Sequence, residues 1–197
     1  METFSIQAEN IMEKLWTRLS FFMNEMQVKE LLFQSYITGD LDEQDARRLA
    51  FENTHKFIYF LKQGVSYFRV AENSELIVKP LLQYYGMTSL MKAVILKHDP
   101  LYPKTTTVLQ HGITTRKKKK ADYVLALDEI KIQKDGLLPH FAQVVLNESL
   151  PIHQKYNIKE LLSVIPEFQD AFQLIFKEVS LIPIQVENDI EKRSNQE

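Results

Sequence analysis

Apolar positions recur every three to four residues through most of the first hundred residues, and that spacing predicts helices. Ile11, Leu15, Leu19 and Phe22, with Trp16 beside them, mark a first helix over residues 10–23. A second covers residues 26–36 and stops before Gly39. Asp40-Leu41-Asp42-Glu43 then opens a third. Either Asp40 or Asp42 suits its N-cap, and acids in a first turn suit the helix dipole. Ala46, Ala50, Phe57, Leu61 and Phe68 form its stripe, supported by Leu49 and Phe60. Gly64 interrupts it at a cost of about 1 kcal/mol relative to Ala, a cost that close packing or a slight bend would explain.

Asn73 or Ser74 starts a fourth helix, with Pro80 tolerable in its first turn. Ile77, Leu81, Tyr84, Thr88, Met91 and Ile95 mark one face. Leu82, Tyr85, Met87, Leu90, Val94 and Leu96 fill most of the others. A helix apolar nearly all round is a buried one, so this helix is expected at the centre.

Asp99-Pro100-Leu101-Tyr102-Pro103 ends the helical pattern. No periodicity is evident from there to Lys120. Ile130 and Ile132 then alternate with polar neighbours, and Asp135-Gly136 is a turn signal, which together predict a short β-hairpin near residues 122–135. Ala142 to Leu146 reads as a helical turn. Asn157 is placed to cap a helix running to Pro166, and a last helix starts on that proline. The tail after Val186 is polar. The fold class is therefore mostly α: a helical bundle around a central buried helix, with one small β element. Residues 1–100 supply the N-terminal bundle. Residues 101–187 add a basic loop, the β element and C-terminal helices on the same core, and 188–197 form a tail. That makes a single domain.

Composition agrees. Of 197 residues, 45% are apolar, and only 5 Gly and 7 Pro punctuate them, which favours long regular elements over a β sandwich. There is no cysteine, which excludes disulfides, thiolate metal sites and a Cys nucleophile. That fits a cytoplasmic protein. The first ten residues lack the basic-then-apolar order of a signal peptide, and no apolar run suffices to span a bilayer.

Charge changes the picture more. The net formal charge is −2, yet between Leu101 and Lys134 eight cations face three anions. Five of those cations are consecutive: Arg116, Lys117, Lys118, Lys119 and Lys120. Adjacent like charges repel, so the run belongs in solvent. Phosphates would relieve the repulsion and release counterions. His111 and Gly112 lie just upstream, with Thr114 and Thr115 as further hydroxyl donors. His111 suits a phosphate ligand or a general acid. A solubilising loop, a protein-docking segment and a backbone-bonded turn histidine remain open alternatives. No aromatic residue interleaves the run, so the segment itself offers no platform for single-stranded bases. Tyr84-Tyr85-Gly86 sits in the most apolar helix and reads as packing.

Several strings, in order, carry a family resemblance: FENTHKFIYFLKQGVSYF, KPLLQYYGMTSLMKAVIL, YPKTTTVLQHGITTRKKKK, DEIKIQKDGLLPHF and LLSVIPE, spanning residues 51–167. On these the chain resembles the YaaC-like family of bacterial proteins. The resemblance brings no catalytic residue and no cofactor with it. Family members extend further at the C-terminal end, which implies a short form or a fragment of such a protein.

The helical arrangement also resembles HEPN-type bundles, some of which are ribonucleases that place an Arg four to six residues before a His. Arg48 and His55 are separated by six residues, and Arg48, Glu52 and His55 share a helix face at i, i+4 and i+7. An Arg48–Glu52 surface ion pair beside a half-buried His55 explains the same spacing. His98, His140 and His153 show no ligand spacing, so no metal site is expected. No Gly-rich phosphate loop and no nucleophile elbow are present.

The sequence thus favours a non-enzymatic binding module whose anion site is His111 with Arg116, Lys117, Lys118, Lys119 and Lys120. The partner would be nucleic acid or a nucleotide. A metal-independent ribonuclease using Arg48, Glu52 and His55 is the rival, and a protein-interaction subunit without nucleic-acid contact the third reading. No cofactor and no membrane are expected, while a second copy or a protein partner fits the composition.

Overall fold

The computed structural model describes residues 11–115 and 124–180. The basic run Arg116–Lys120, the first two residues of the predicted β segment and the tail after Val186 lie outside the described residues. The first helix, α1 (Ile11–Ser20), ends earlier than its periodicity predicts and passes into one 3₁₀ turn at Phe21–Met23. The reason is Asn24. Its Oδ1 accepts the N–H groups of Met26 and Gln27 at 3.0 and 3.2 Å, which starts α2 (Glu25–Thr38) afresh. Asp42 caps the next helix by accepting the Asp45 N–H at 2.9 Å, while Asp40 takes the left-handed turn conformation before it.

That helix, α3 (Glu43–Glu72), is 30 residues long and unbroken. Gly64 does not interrupt it; a Cβ there would come within 2.6 Å of Leu90 Cδ2 and 3.2 Å of the Gly86 carbonyl. The two glycines face each other across the crossing with α4 (Lys79–His98), and they allow the backbones to approach. The fourth helix begins at Lys79 rather than at Asn73 or Ser74, with Pro80 in its first turn.

The expectation that the fourth helix is buried nearly all round is corrected. Leu81, Tyr85 and Met87 are exposed, as are Leu76 and Ile77 ahead of it. Only its other face and its last turns, with Ala93, Ile95 and Leu96, enter the core. The more deeply buried helix is α3, packed between α2 and α4. Apolar composition could not distinguish buried from exposed faces here, because the solvent face of α4 is itself apolar and aromatic.

The chain divides into two compact units. The first comprises Met1–Thr114 and Ile132–His153. It holds α1 to α4 and a short helix α5 (Leu137–Val145), which packs on α4. Its core joins Val28, Leu32 and Tyr36 to Ala50, Phe57 and Leu96, among others. A polar knot lies within it. Asn53, 1% exposed, donates to the Tyr36 hydroxyl at 3.1 Å and to the Pro100 carbonyl at 2.7 Å. The Tyr36 hydroxyl in turn donates to the Leu96 carbonyl at 2.8 Å. Such a network is stable only when its members are satisfied, and it ties α2 and α3 to the end of α4.

The second unit comprises Thr115–Lys131 and Gln154–Glu197. Asn157 caps α6 (Ile158–Ser163) as the sequence predicts, accepting the Lys159 N–H at 2.8 Å. The last helix passes through a 3₁₀ turn at Pro166–Phe168 into α7 (Gln169–Phe176). Lys159 pairs with Glu178 at 2.8 Å and lies over the Phe176 ring.

Three short strands, β1 (Ile113–Thr115), β2 (Glu129–Ile132) and β3 (Lys155–Asn157), form a sheet in that order. Ile130 lies opposite Tyr156, with Glu129 opposite Asn157, in antiparallel register. The predicted strand at Ile130–Ile132 is present, but Asp135-Gly136 is not a hairpin turn between neighbouring strands. Gly136, with φ of 139°, forms the N-cap of α5 instead.

Candidate functional site

Three backbone hydrogen bonds fix the turn that carries His111. The Leu137 N–H donates to the Gln110 carbonyl at 2.6 Å, Leu138 to His111 at 3.3 Å, and Gln133 to Gly112 at 2.9 Å. Gly112 has a φ of 80°, which favours glycine, and a Cβ on Gly136 would run into the Gly112 backbone. The two glycines therefore lock the turn against the start of α5. The seat is rigid, yet His111 itself is exposed.

The imidazole is held as well. His111 Nδ1 shares a hydrogen bond with the Tyr84 hydroxyl of α4. The two rings meet edge to face with centroids 5.4 Å apart. Burial and the neighbouring Tyr85 raise the Tyr84 pKa, so the phenol stays neutral and keeps its hydrogen at physiological pH. With Nδ1 engaged, Nε2 is the nitrogen left for a ligand, and among the described residues it has no hydrogen-bond partner. The arrangement can orient a phosphate ligand. Among the described residues, no carboxylate and no second histidine is hydrogen-bonded to the ring.

Aromatic contacts continue from there. Tyr84 meets Tyr85 at 5.7 Å, and Tyr85 stacks on Tyr67 of α3 at 5.7 Å with 28° between the planes. The reading of Tyr84-Tyr85-Gly86 as packing holds for Gly86, which is buried, but Tyr85 is 43% exposed. No spacing in the sequence shows that Tyr67 and His111 flank the same pair of tyrosines. The exposed apolar face of α4 was the signal, once helix faces are assigned.

Arg48, Glu52 and His55 occupy one face of α3, as their spacing implies. Arg48 donates to Asp45 at 2.9 Å and to Glu52 at 3.1 Å, and this pairing raises the guanidinium pKa further. His55 is not half-buried: its side chain is 74% exposed, with Glu25 of α2 3.8 Å away. The carboxylates that surround these two side chains, rather than each other, are their neighbours.

A second cluster escaped the sequence altogether. Asp99 ends α4 and is 7% exposed. One oxygen takes His140 Nε2 of α5 at 3.1 Å; the other accepts the Leu101 N–H at 3.2 Å, with Lys104 3.6 Å off. Tyr102 stacks on His140 with 19° between the rings. Since 41 residues separate Asp99 from His140, no local motif marks them. The geometry is that of a clamp holding α5 to the end of α4. A depression of about 740 Å³ lined by Glu13, Trp16, Arg69 and Glu72 contains none of the candidate residues. Among the described residues no group of three or more His, Asp or Glu is placed to hold a metal ion.

Residues 20–196 match a family model described as YaaC-like Protein. No curated protein and no solved structure matches the chain.

Proposed function

Because this chain belongs to the YaaC-like protein family, we propose that it acts as a binding module of that family, without catalysis, for an anionic partner. The partner is nucleic acid or a nucleotide, and its phosphates are held by His111, Arg116, Lys117, Lys118, Lys119 and Lys120. What supports the reading is an oriented, exposed imidazole just ahead, in the sequence, of the densest run of positive charge. Four residues separate His111 from the first cation of the run. The Tyr84 hydrogen bond turns one imidazole nitrogen inward and leaves the other for a ligand. A chain with net charge −2 has little other positive surplus with which to attract a polyanion.

The ribonuclease reading gains less support. Arg48 already serves two carboxylates, and a guanidinium so engaged is poorly placed to stabilise a phosphorane. A cytoplasmic location belongs to the same proposal and suits a cysteine-free chain. No helix among the described residues is long and apolar enough to cross a membrane.

The test is recovery of the protein from cells followed by analysis of the nucleic acid that accompanies it. Wild type is compared with a variant carrying Lys117, Lys118, Lys119 and Lys120 changed to Gln. Recovered nucleic acid should fall sharply in the variant. Equal recovery, or none with either protein, would remove the proposal.

A further inference from the structure

The four rings Tyr67, Tyr85, Tyr84 and His111 form an unbroken chain, with successive centroids 5.7, 5.7 and 5.4 Å apart. They come from three separate parts of the sequence: α3, α4 and the turn before β1. Two of them lie open, since Tyr85 is 43% exposed and His111 is exposed. Leu81 and Met87 on the same helix are also more than half exposed, at 56% and 55%. Exposed aromatic rings held in contact with one another are the kind of surface that binding sites use.

We infer that this ring chain is a stacking platform for unpaired nucleobases, and that the nucleic acid held by the protein is single-stranded. The inference rests on the anion-binding reading above and adds the part of the ligand that phosphates do not specify. Charge decides the occupant. An apolar peptide would satisfy the tyrosines but not the five consecutive cations that follow β1 in the sequence. Single strands offer both kinds of surface, because every base has a π face and every linkage a negative charge. In a duplex the base faces are stacked within the helix, so the rings would find nothing to cover. His111 can serve both kinds of recognition: its ring ends the aromatic chain, and its Nε2 suits a phosphate oxygen.

Stacking contributes per base and is indifferent to sequence, whereas charge neutralisation is indifferent to whether a base is present. An abasic oligomer separates them. Binding of the full chain to a fluorescent adenine 20-mer is compared with an abasic 20-mer of equal charge and with the same 20-mer as duplex. For wild type the adenine oligomer should bind about tenfold tighter than the abasic one, and tighter than the duplex. Tyr85→Ala should erase that preference while leaving abasic binding unchanged, and Tyr85→Trp should restore it. Thermal melting of each variant confirms that the fold survives. Equal affinity of wild type for adenine and abasic oligomers overturns the stacking platform and leaves the anion reading standing. Binding of neither oligomer overturns both.

Discussion

The Tyr84 hydroxyl and His111 Nδ1 are hydrogen-bonded to each other across 27 residues of sequence. The bond joins the middle of α4 to a turn whose backbone is fixed by Gly112 and Gly136. It therefore sets which imidazole nitrogen faces outward, and it does so on a rigid frame. Removing the phenol hydroxyl alone tests how much that orientation matters. Tyr84→Phe keeps the ring contacts and loses one hydrogen bond, about 1 kcal/mol. Oligonucleotide affinity should weaken about fivefold by fluorescence anisotropy, with the thermal midpoint lowered by no more than about 2–4 °C. Unaltered affinity would show that the orientation Tyr84 gives His111 contributes nothing to binding.

The Asp99–His140 clamp makes a different kind of prediction, one of stability. Asp99 satisfies the Leu101 N–H and His140 at once, from an almost fully buried position. Asp99→Ala removes the acceptor shared by the part-buried His140 and the Leu101 N–H and should cost about 1–3 kcal/mol. Chemical denaturation measures this. A loss below about 0.5 kcal/mol would mean that the clamp is idle, as surface pairs often are.

Stability should also fall in strong alkali. Burial raises the pKa values of both Tyr36 and Tyr102 to about 12, from an ordinary value of 10.0. In the unfolded chain these phenols ionise near 10, so above that pH the unfolded state binds fewer protons than the folded one. The contribution is intact below pH 10 and is lost as pH rises toward 12. Each phenol should lower unfolding free energy by about 1.4 kcal/mol per pH unit within that window. Denaturation curves between pH 9 and 11 read the slope, and Tyr36→Phe or Tyr102→Phe should each flatten it. A pH-independent midpoint in wild type would contradict the burial of these hydroxyls.

Much of the helical framework was legible because it depends on short-range chemistry. Asn157 capping α6, Asp42 capping α3 and Pro80 in the first turn of α4 are local relationships, readable within four residues. Gly64 was legible as a packing residue, but its partner Gly86 was not, because the crossing that pairs them is tertiary. The same limit explains the β element. Ile130 and Ile132 announce a strand, yet the partner strand Lys155–Asn157 lies beyond α5, and Gly136 is committed to that helix's start. At the candidate site, His111 and the lysines stood out by charge and turn chemistry. Tyr67, Tyr84 and Tyr85 did not, since an aromatic residue in an apolar helix looks like core until its face is known. His140 looked isolated for a related reason: the carboxylate it meets is 41 residues away.

The most direct measurement is the salt dependence of oligonucleotide binding for wild type and for the variant with Lys117, Lys118, Lys119 and Lys120 changed to Gln. If each lysine neutralises one phosphate of a single strand, the slope of log K against log salt should become shallower by about 3 in the variant. Identical slopes for the two proteins would contradict phosphate binding by the basic run.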